Sequence, residues 1–242
     1  MKGVILVGGY GTRLEPLTYI SNKHLLPIYN KPMIEYGLAA LRDAGIREVC
    51  AVLGGEKADQ VMKYLGDGFR YGVSISYVWQ GEPKGVGHAI SCAKNFVGNE
   101  KFIVYLADNI FETGVMSLVK NFENSGCDAY LLLKEVEHPE RYGVVEFDKN
   151  GKIIGLEEKP KQSKSKWIIS GAYGFKPIVF NVIDELRPSW RGEIEITEAI
   201  DKMVKKGLDV GYDKLQGRWF DAGTFDDILE ASIFMKEKMR GR

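Results

Sequence analysis

Apolar positions along the chain fall into short unbroken runs, separated by stretches where they recur every three or four residues. The run Gly3-Val-Ile-Leu-Val7 has no polar alternation, which suits a strand buried on both faces. Glu48–Leu53, Val73–Trp79, Phe102–Leu106 and Ala129–Glu135 read as further strands. Helix signals lie between them. Pro32 suits a first turn and Gly45 a stop, with Ile34, Leu38 and Leu41 at helical spacing. Val61, Met62 and Leu65 mark a second helix ended by Gly66, and 87–94 and 114–123 predict two more. Strands alternating with helices predict an α/β fold: a Rossmann-like, mostly parallel central sheet with helices on both faces.

The pattern changes near residue 140. Gly143–Phe147, the turn residues Lys149-Asn150-Gly151 and Lys152–Leu156 together signal a hairpin. Trp167–Phe175 predicts a strand, and helices follow at about 177–186, 194–206 and 224–239. No Ser/Gly-rich linker and no internal repeat interrupts the chain. The expectation is one domain over 1–242 whose second half carries a small antiparallel insert.

Composition narrows the classes. At 242 residues the chain is long enough to bury a full core without disulfides or a structural metal. Charged residues at 27% and hydrophobic residues at 45% argue against disorder. Lys plus Arg equals Asp plus Glu at 33 each, so the surplus of positive charge that nucleic-acid binding draws on is absent. Affinity for anions must come from a local cluster. Cys50, Cys92 and Cys127 have no metal-ligand spacing. Their odd number and the lack of an N-terminal export signal point to a reducing cytoplasm. No apolar stretch approaches membrane-spanning length.

Five segments carry candidate chemistry. Gly8-Gly-Tyr-Gly-Thr-Arg-Leu14 directly follows a buried strand. Glycines let backbone N–H groups approach a phosphate, Thr12 adds a hydroxyl and Arg13 a bidentate cation. The segment is neither a Walker loop nor a dinucleotide fingerprint, and a tight turn would look the same. Lys23 sits in Asn22–Pro27, where a loop lysine is ordinarily a solvated charge and His24 a structural residue. Asp108 of Ala107-Asp-Asn109 emerges at the carboxyl end of a central strand, the edge where open parallel sheets bind ligands. A carboxylate there suits Mg²⁺, or caps the next element. Glu157-Glu-Lys-Pro160 is either an exposed strand end or a pair placing Glu158 on sugar hydroxyls and Lys159 on a phosphate. Asp221 of Trp219–Thr224 is a possible second metal carboxylate, with Thr224 the better placed helix cap. With only His24, His88 and His138, imidazole acid–base chemistry has thin support.

Together these segments resemble the sugar-phosphate nucleotidyltransferases, and within them the glucose-1-phosphate thymidylyltransferases. Gly8–Leu14, Asn22–Pro27, Gln80 with Gly85, Leu106–Phe111, Glu140–Phe147, Glu157–Pro160, Arg191–Thr197 and Trp219–Thr224 carry the resemblance in family order. It implies a nucleotide-binding half at about 1–135 and a sugar-binding half at about 136–242. It implies that Gly8, Gly11, Thr12 and Arg13 wrap a nucleoside triphosphate, that Lys23 lies near the reacting phosphates, and that Gln80 and Gly85 read a pyrimidine. A carboxamide can pair with both O4 and N3–H of thymine or uracil. Asp108 and Asp221 match metal carboxylates for Mg²⁺. Asn109, Gly143, Glu158, Ile169, Gly171 and Tyr173 fall where the family holds the hexose, and Lys159 and Arg191 where it holds the sugar phosphate. Arg13, Lys23, Asp108 and Lys159 would be the catalytic set.

The implied reaction joins dTTP and glucose 1-phosphate, with no nucleic acid or membrane partner and a homo-oligomer, dimer or tetramer, as the expected assembly. UTP is the alternative nucleotide. A non-catalytic nucleotide-sugar sensor and a nicotinamide dehydrogenase are the other classes. Departures are small: Val7-Gly8-Gly9 for Ala-Gly-Gly, Ala107-Asp-Asn109 for Gly-Asp-Asn, and His24 where many relatives have Gln. Longer members of the family carry a C-terminal helical extension tied to a regulatory site; the residues up to Arg242 include none, which leaves feedback inhibition through it an open question.

Overall fold

The structure, a computed structural model, describes residues 1–240. Its elements in chain order are β1 (Lys2–Val7), β2 (Pro27–Ile28), β3 (Lys31–Pro32), α1 (Met33–Asp43), β4 (Glu48–Gly54), α2 (Ala58–Leu65) and β5 (Ser74–Gly81). Then come α3 (Val86–Cys92), α4 (Lys94–Val97), β6 (Phe102–Leu106), β7 (Asn109–Phe111), α5 (Met116–Asn124) and β8 (Ala129–Glu135). The second half holds β9 (Gly143–Phe147), β10 (Ile153–Glu158), β11 (Trp167–Phe175), α6 (Ile178–Asp184), α7 (Ile196–Lys205), β12 (Val210–Lys214), β13 (Trp219–Asp221) and α8 (Phe225–Arg240).

β5, β4, β1 and β6 lie side by side in parallel register. The unbroken apolar sequences of β4, β1 and β6 follow from being covered twice, whereas β5, at the sheet edge, leaves Ser74, Ser76 and Trp79 exposed. Val4 and Leu6 of β1 point into a core with α3, α6 and α7, whereas Ile5 and Val7 point into one with α1, α2 and α5. Burying Leu, Ile or Val side chains this completely contributes about 1.5–3 kcal/mol each, which is why neither core tolerates a polar break. A third, smaller cluster joins Ile28, Met33, Tyr36, Ile110 and Phe220 to Ala231 of α8. Ile228, Phe234 and Met235 of α8 pack against this cluster, and Phe225, Leu229 and Ile233 stay exposed.

One expectation changes in form. The antiparallel strands are not set apart as an insert; they continue the main sheet. β11 runs antiparallel beside β6, and β8 pairs with β11 rather than with β6. The β9–β10 hairpin joins through β11, and β12 runs parallel to β8. Between Ile169 and Tyr173 the β8–β11 register shifts. Gly171 lies in this bulge at φ +87°, where a Cβ would stand 2.9 Å from the Asn109 side chain. The bulge turns β11 toward the carboxyl end of β6. Among the described residues no helix is long and apolar enough to cross a membrane.

Candidate active site

The carboxyl ends of β1, β5 and β6 open on a cavity of about 620 Å³. Arg13, Lys23, Arg141, Lys159 and Arg191 line it, and so do Asp108, Glu158, Glu193, Glu195 and Asp221. Cations and carboxylates are equal in number, so this is not a basic patch. What it offers an anion depends on how those charges are paired.

The glycine loop forms one wall. Gly9 and Gly11 have φ of +96° and +67°, and Thr12–Leu14 form a single 3₁₀ turn. At Gly11 a Cβ would lie 2.8 Å from Thr18 Cγ2 and 3.1 Å from Lys23 Cβ, so only glycine lets Lys23 pass that close. Gly8, Gly9 and Arg13 line the cavity. Gly11 lines no cavity wall itself, and Thr12 faces a neighbouring one of about 260 Å³ that shares Gly9 and Lys23.

The two aspartates meet at the centre. β13 pairs antiparallel with β7, putting Asp221 opposite Asn109, the residue after Asp108, and Ala222 N–H donates to Asp108 O at 2.9 Å. Lys23 Nζ donates to Asp108 Oδ2 at 2.6 Å, and Asn109 Nδ2 to Asp108 Oδ1 at 3.0 Å. Trp219 Nε1 donates to Asn109 Oδ1 at 2.7 Å, so the aromatic ring fixes the amide that fixes the carboxylate. Burial opposes charge on Asp108, but Lys23, His24 and the hydrogen bonds outweigh it and hold the carboxyl well below the ordinary range. Asp221 has no such partner. Burial first, and then the Asp108 charge, push its carboxyl up, with Lys23 and Arg13 only partly offsetting them.

His24 is buried beside Lys23. Asn22 Oδ1 accepts from the His24 backbone N–H and lies 3.0 Å from Nδ1, so Nδ1 carries the proton. Burial, and then Lys23, lower its pKa to about 3. A base whose folded pKa lies below its unfolded one leaves the unfolded chain to take up protons first. Its contribution is complete above the unfolded value of 6.5 and is lost as pH falls toward 3. His24→Gln is expected to flatten the stability–pH curve across that window. Urea midpoints measured from pH 7 to pH 4 check this, and an unchanged slope would assign the acid sensitivity to another group.

At one end of the cavity Gln80, buried at the end of β5, donates from Nε2 to Gly85 O at 3.2 Å. A Cβ on Gly85 would lie 2.7 Å from Ile194 O, so the turn packs backbone to backbone. At the other end Thr197 Oγ1 donates to Glu158 Oε2 at 2.6 Å. A Cβ on Gly143 would run into that same hydroxyl, so only glycine fits against Thr197 here. Burial, chiefly, pushes the Glu158 carboxyl up, with Thr197 opposing. Ile169, Gly171 and Tyr173 line this end, and Lys159 N–H donates to Tyr142 O at 3.0 Å. Arg191 is held among acids: Glu193 at 2.8 Å, Glu195 at 3.2 Å and Glu158 at 3.7 Å.

Apart from Gly11 and Thr12, every predicted site residue lines the one cavity. Sequence reasoning passed over Arg141, Tyr142, Glu193, Glu195, Thr197 and Trp219, although all lie in segments it had singled out. The Arg191-Gly-Glu-Ile-Glu195 alternation of charge was the available signal for the acid nest.

Among the described residues no three His, Cys, Asp or Glu side chains cluster as a metal cage. The donor set still fits Mg²⁺, which takes one or two carboxylates and completes its shell with water and phosphate oxygens. Asp221, pushed up by burial and then by its like-charged neighbour, is the charge such an ion would relieve.

A family model described as nucleotidyl transferase matches residues 2–238. A low-salt glycan biosynthesis nucleotidyltransferase of Haloferax volcanii is 44% identical over 98% of this chain and 66% of its own. A glucose-1-phosphate thymidylyltransferase of Streptomyces griseus is 40% identical over 100% of this chain and 68% of its own. This chain thus spans about two thirds of the length of those relatives. A Bacillus anthracis structure described as a glucose-1-phosphate thymidylyltransferase with sucrose superposes at TM-score 0.90 and 40% identity, covering 97% of this chain and 94% of that one. A UDP-glucose pyrophosphorylase with UDP-glucose superposes at TM-score 0.87 and 28% identity, covering 98% of each. A family model over nearly the whole chain and relatives about 40% identical over its full length show that the chain belongs to the nucleotidyl transferase family, among its sugar-phosphate nucleotidyltransferases.

Proposed function

We propose that this chain joins dTTP to glucose 1-phosphate, forming dTDP-glucose and releasing pyrophosphate. The observation that carries the reading is the meeting of Gly8, Gly9 and Arg13, Asp108 with Asp221, and Lys159 with Arg191 around one cavity. The thymidylyltransferases among its relatives support the choice of nucleotide and sugar. In this reading Gly8, Gly11, Thr12 and Arg13 wrap the triphosphate, and Gln80 and Gly85 face the base. Gly143, Glu158, Ile169, Gly171 and Tyr173 take the hexose beside Asn109. Lys159 and Arg191 aim its phosphate.

An oxygen of the sugar phosphate attacks the α-phosphorus in line, and the bond to pyrophosphate breaks. That oxygen is already anionic at pH 7, so no general base is needed. This suits a cavity whose imidazole, His24, is buried and neutral. The obstacle is bringing two polyanions together, so catalysis is positioning and charge neutralisation. Arg13 faces the leaving pyrophosphate, and Lys23 the charge developing around the α-phosphorus. Arg191 does not swing free; its carboxylate partners hold the guanidinium in place, and a sugar phosphate must compete with them. Asp108 and Asp221 would hold Mg²⁺, which supplies positive charge that a cavity of balanced sign lacks.

A matrix of four nucleoside triphosphates against several hexose 1-phosphates, with Mg²⁺ and a pyrophosphate readout, tests the proposal. Turnover is expected to peak at dTTP with glucose 1-phosphate. Binding of nucleotide sugar without pyrophosphate release would instead mark a sensor. A UTP-dependent enzyme is the second reading, favoured by the UDP-glucose pyrophosphorylase likeness and by the pairing edge that thymine and uracil share. Gln80→Ala is expected to compress the ranking of triphosphates roughly tenfold while leaving metal dependence intact. An unchanged ranking would remove Gln80 from base selection.

The three cysteines are free thiols. For the proposed homo-oligomer, Trp190 and the Phe225–Leu229–Ile233 stripe of α8 are the exposed apolar faces to test by sedimentation.

A further inference from the structure

Behind Gln80 stands a residue that lines no part of the cavity. His88, on the first turn of α3, places Nδ1 3.2 Å from Gln80 Nε2. That nitrogen also donates to Gly85 O at 3.2 Å. A carbonyl oxygen only accepts, so the Gln80 atom facing it must be the NH₂ group, which settles the orientation of the amide. An amide nitrogen has no lone pair to offer. His88 Nδ1 is therefore the acceptor, and the imidazole is neutral with its proton on Nε2. The partly buried setting of the ring and the Lys84 charge both favour that neutral form.

Both Nε2 hydrogens are thus taken inside the protein. Oε1 lies against Gly8 and Gly54, where a Cβ would approach it to 3.0 Å and 2.9 Å. It has no protein partner, and it is not sealed in, because Ser91 Oγ alone among the described residues is a sealed side-chain polar atom without one. Gln80 consequently meets the cavity as an acceptor only, rather than through both ends of its amide.

We infer that His88 is a positioning residue for base selection: it locks the Gln80 carboxamide with Oε1 toward the base, which favours pyrimidines with a protonated N3 over cytosine. Thymine and uracil carry N3–H, a donor for Oε1. Cytosine carries a bare N3 that would face Oε1 lone pair to lone pair. Without Nδ1, the second hydrogen of Nε2 loses its partner and Gly85 O alone opposes the turned-over amide, so the orientation that offers cytosine a donor is penalised less. The inference rests on the proposed role of Gln80 at the base.

The test compares dUTP with dCTP, which differ only at the pairing edge. In His88→Ala the preference for dUTP is expected to shrink roughly tenfold through the nucleotide KM. The KM for glucose 1-phosphate should stay as in the parent. His88→Asn, whose amide oxygen can stand in for Nδ1, is expected to restore most of the preference. An unchanged preference in a folded His88→Ala protein overturns the inference, and so does a loss that His88→Asn does not recover. Gln80→Ala run alongside separates the two ideas: if it also leaves the preference intact, the reading of Gln80 fails, and if it alone changes the preference, only the role of His88 fails. ¹⁵N shifts of the His88 ring in the unmodified protein at pH 7 give a readout that needs no variant. The Nε2–H tautomer is expected, and an Nδ1–H tautomer or an imidazolium overturns the lock.

Discussion

Asp108→Asn is expected to lower kcat by about 10²–10³ in a protein that still folds. The size is that of one preorganised group facing transition-state charge, about 3–4 kcal/mol. Asparagine keeps the shape of the side chain, but its single amide oxygen serves only one of the two donors, Lys23 and Asn109, while the Ala222 N–H bond goes to the backbone and is untouched. What disappears is one of the two charges proposed to hold Mg²⁺. Pyrophosphate release at saturating substrates across a Mg²⁺ titration measures the loss, and a thermal melt checks the fold. Turnover within about twofold of the parent would take Asp108 out of the site. The same variant carries a pH signature. Asp221 has a raised folded pKa, so its contribution to stability is complete below the ordinary carboxylate range and is lost as pH rises through the raised value. Removing the neighbouring charge lowers that value, and the decline in stability on the alkaline side of the carboxylate range should shrink.

Lys23→Met is expected to do comparable damage to turnover, about 10²–10³, and to damage the fold as well. Lys23 and Asp108 form a largely buried pair at 2.6 Å. Taking away one member leaves a carboxylate without its closest countercharge, which costs about 3–5 kcal/mol at fully buried sites and somewhat less here, where both groups keep some solvent. Denaturant melts of the two single variants and of Lys23→Met with Asp108→Asn close the cycle. The double variant should recover part of the stability, because no unpaired charge remains, and none of the activity. Equal stability losses that simply add would mean the two side chains do not act as a pair.

The sheet strands were legible because they are covered on both faces. A strand such as β1 sends alternate residues into two cores, so its sequence is apolar throughout and stands out. The helices showed through the spacing of the side chains they bury, and Gly45 and Gly66 mark their ends. The Asp148–Lys152 turn was readable for the same local reason: Gly151 supplies the positive φ that the hairpin needs. Thr224 acts as the cap expected of it, its Oγ1 accepting from Asp227 N–H at 3.3 Å. By contrast β7 and β13 are three residues each, too short for any period, and each is specified by a partner more than a hundred positions away. Their pairing is what sets Asp221 beside Asp108.

The acid nest around Arg191 and the lock on Gln80 were hidden for a related reason. Residue types announce charge and hydrogen-bonding capacity, but not which donor meets which acceptor. From its own order of residues this chain determined an α/β sheet, a glycine loop after the first strand and the set of charged groups suited to phosphate chemistry, since each depends on neighbours within a few positions. The order of the strands, the insertion of β11 beside β6, the meeting of two distant aspartates and the equal balance of charge in the cavity were decided only by the tertiary structure. Those depend on contacts between segments remote along the chain, and such contacts exist only once the two cores have closed around the sheet.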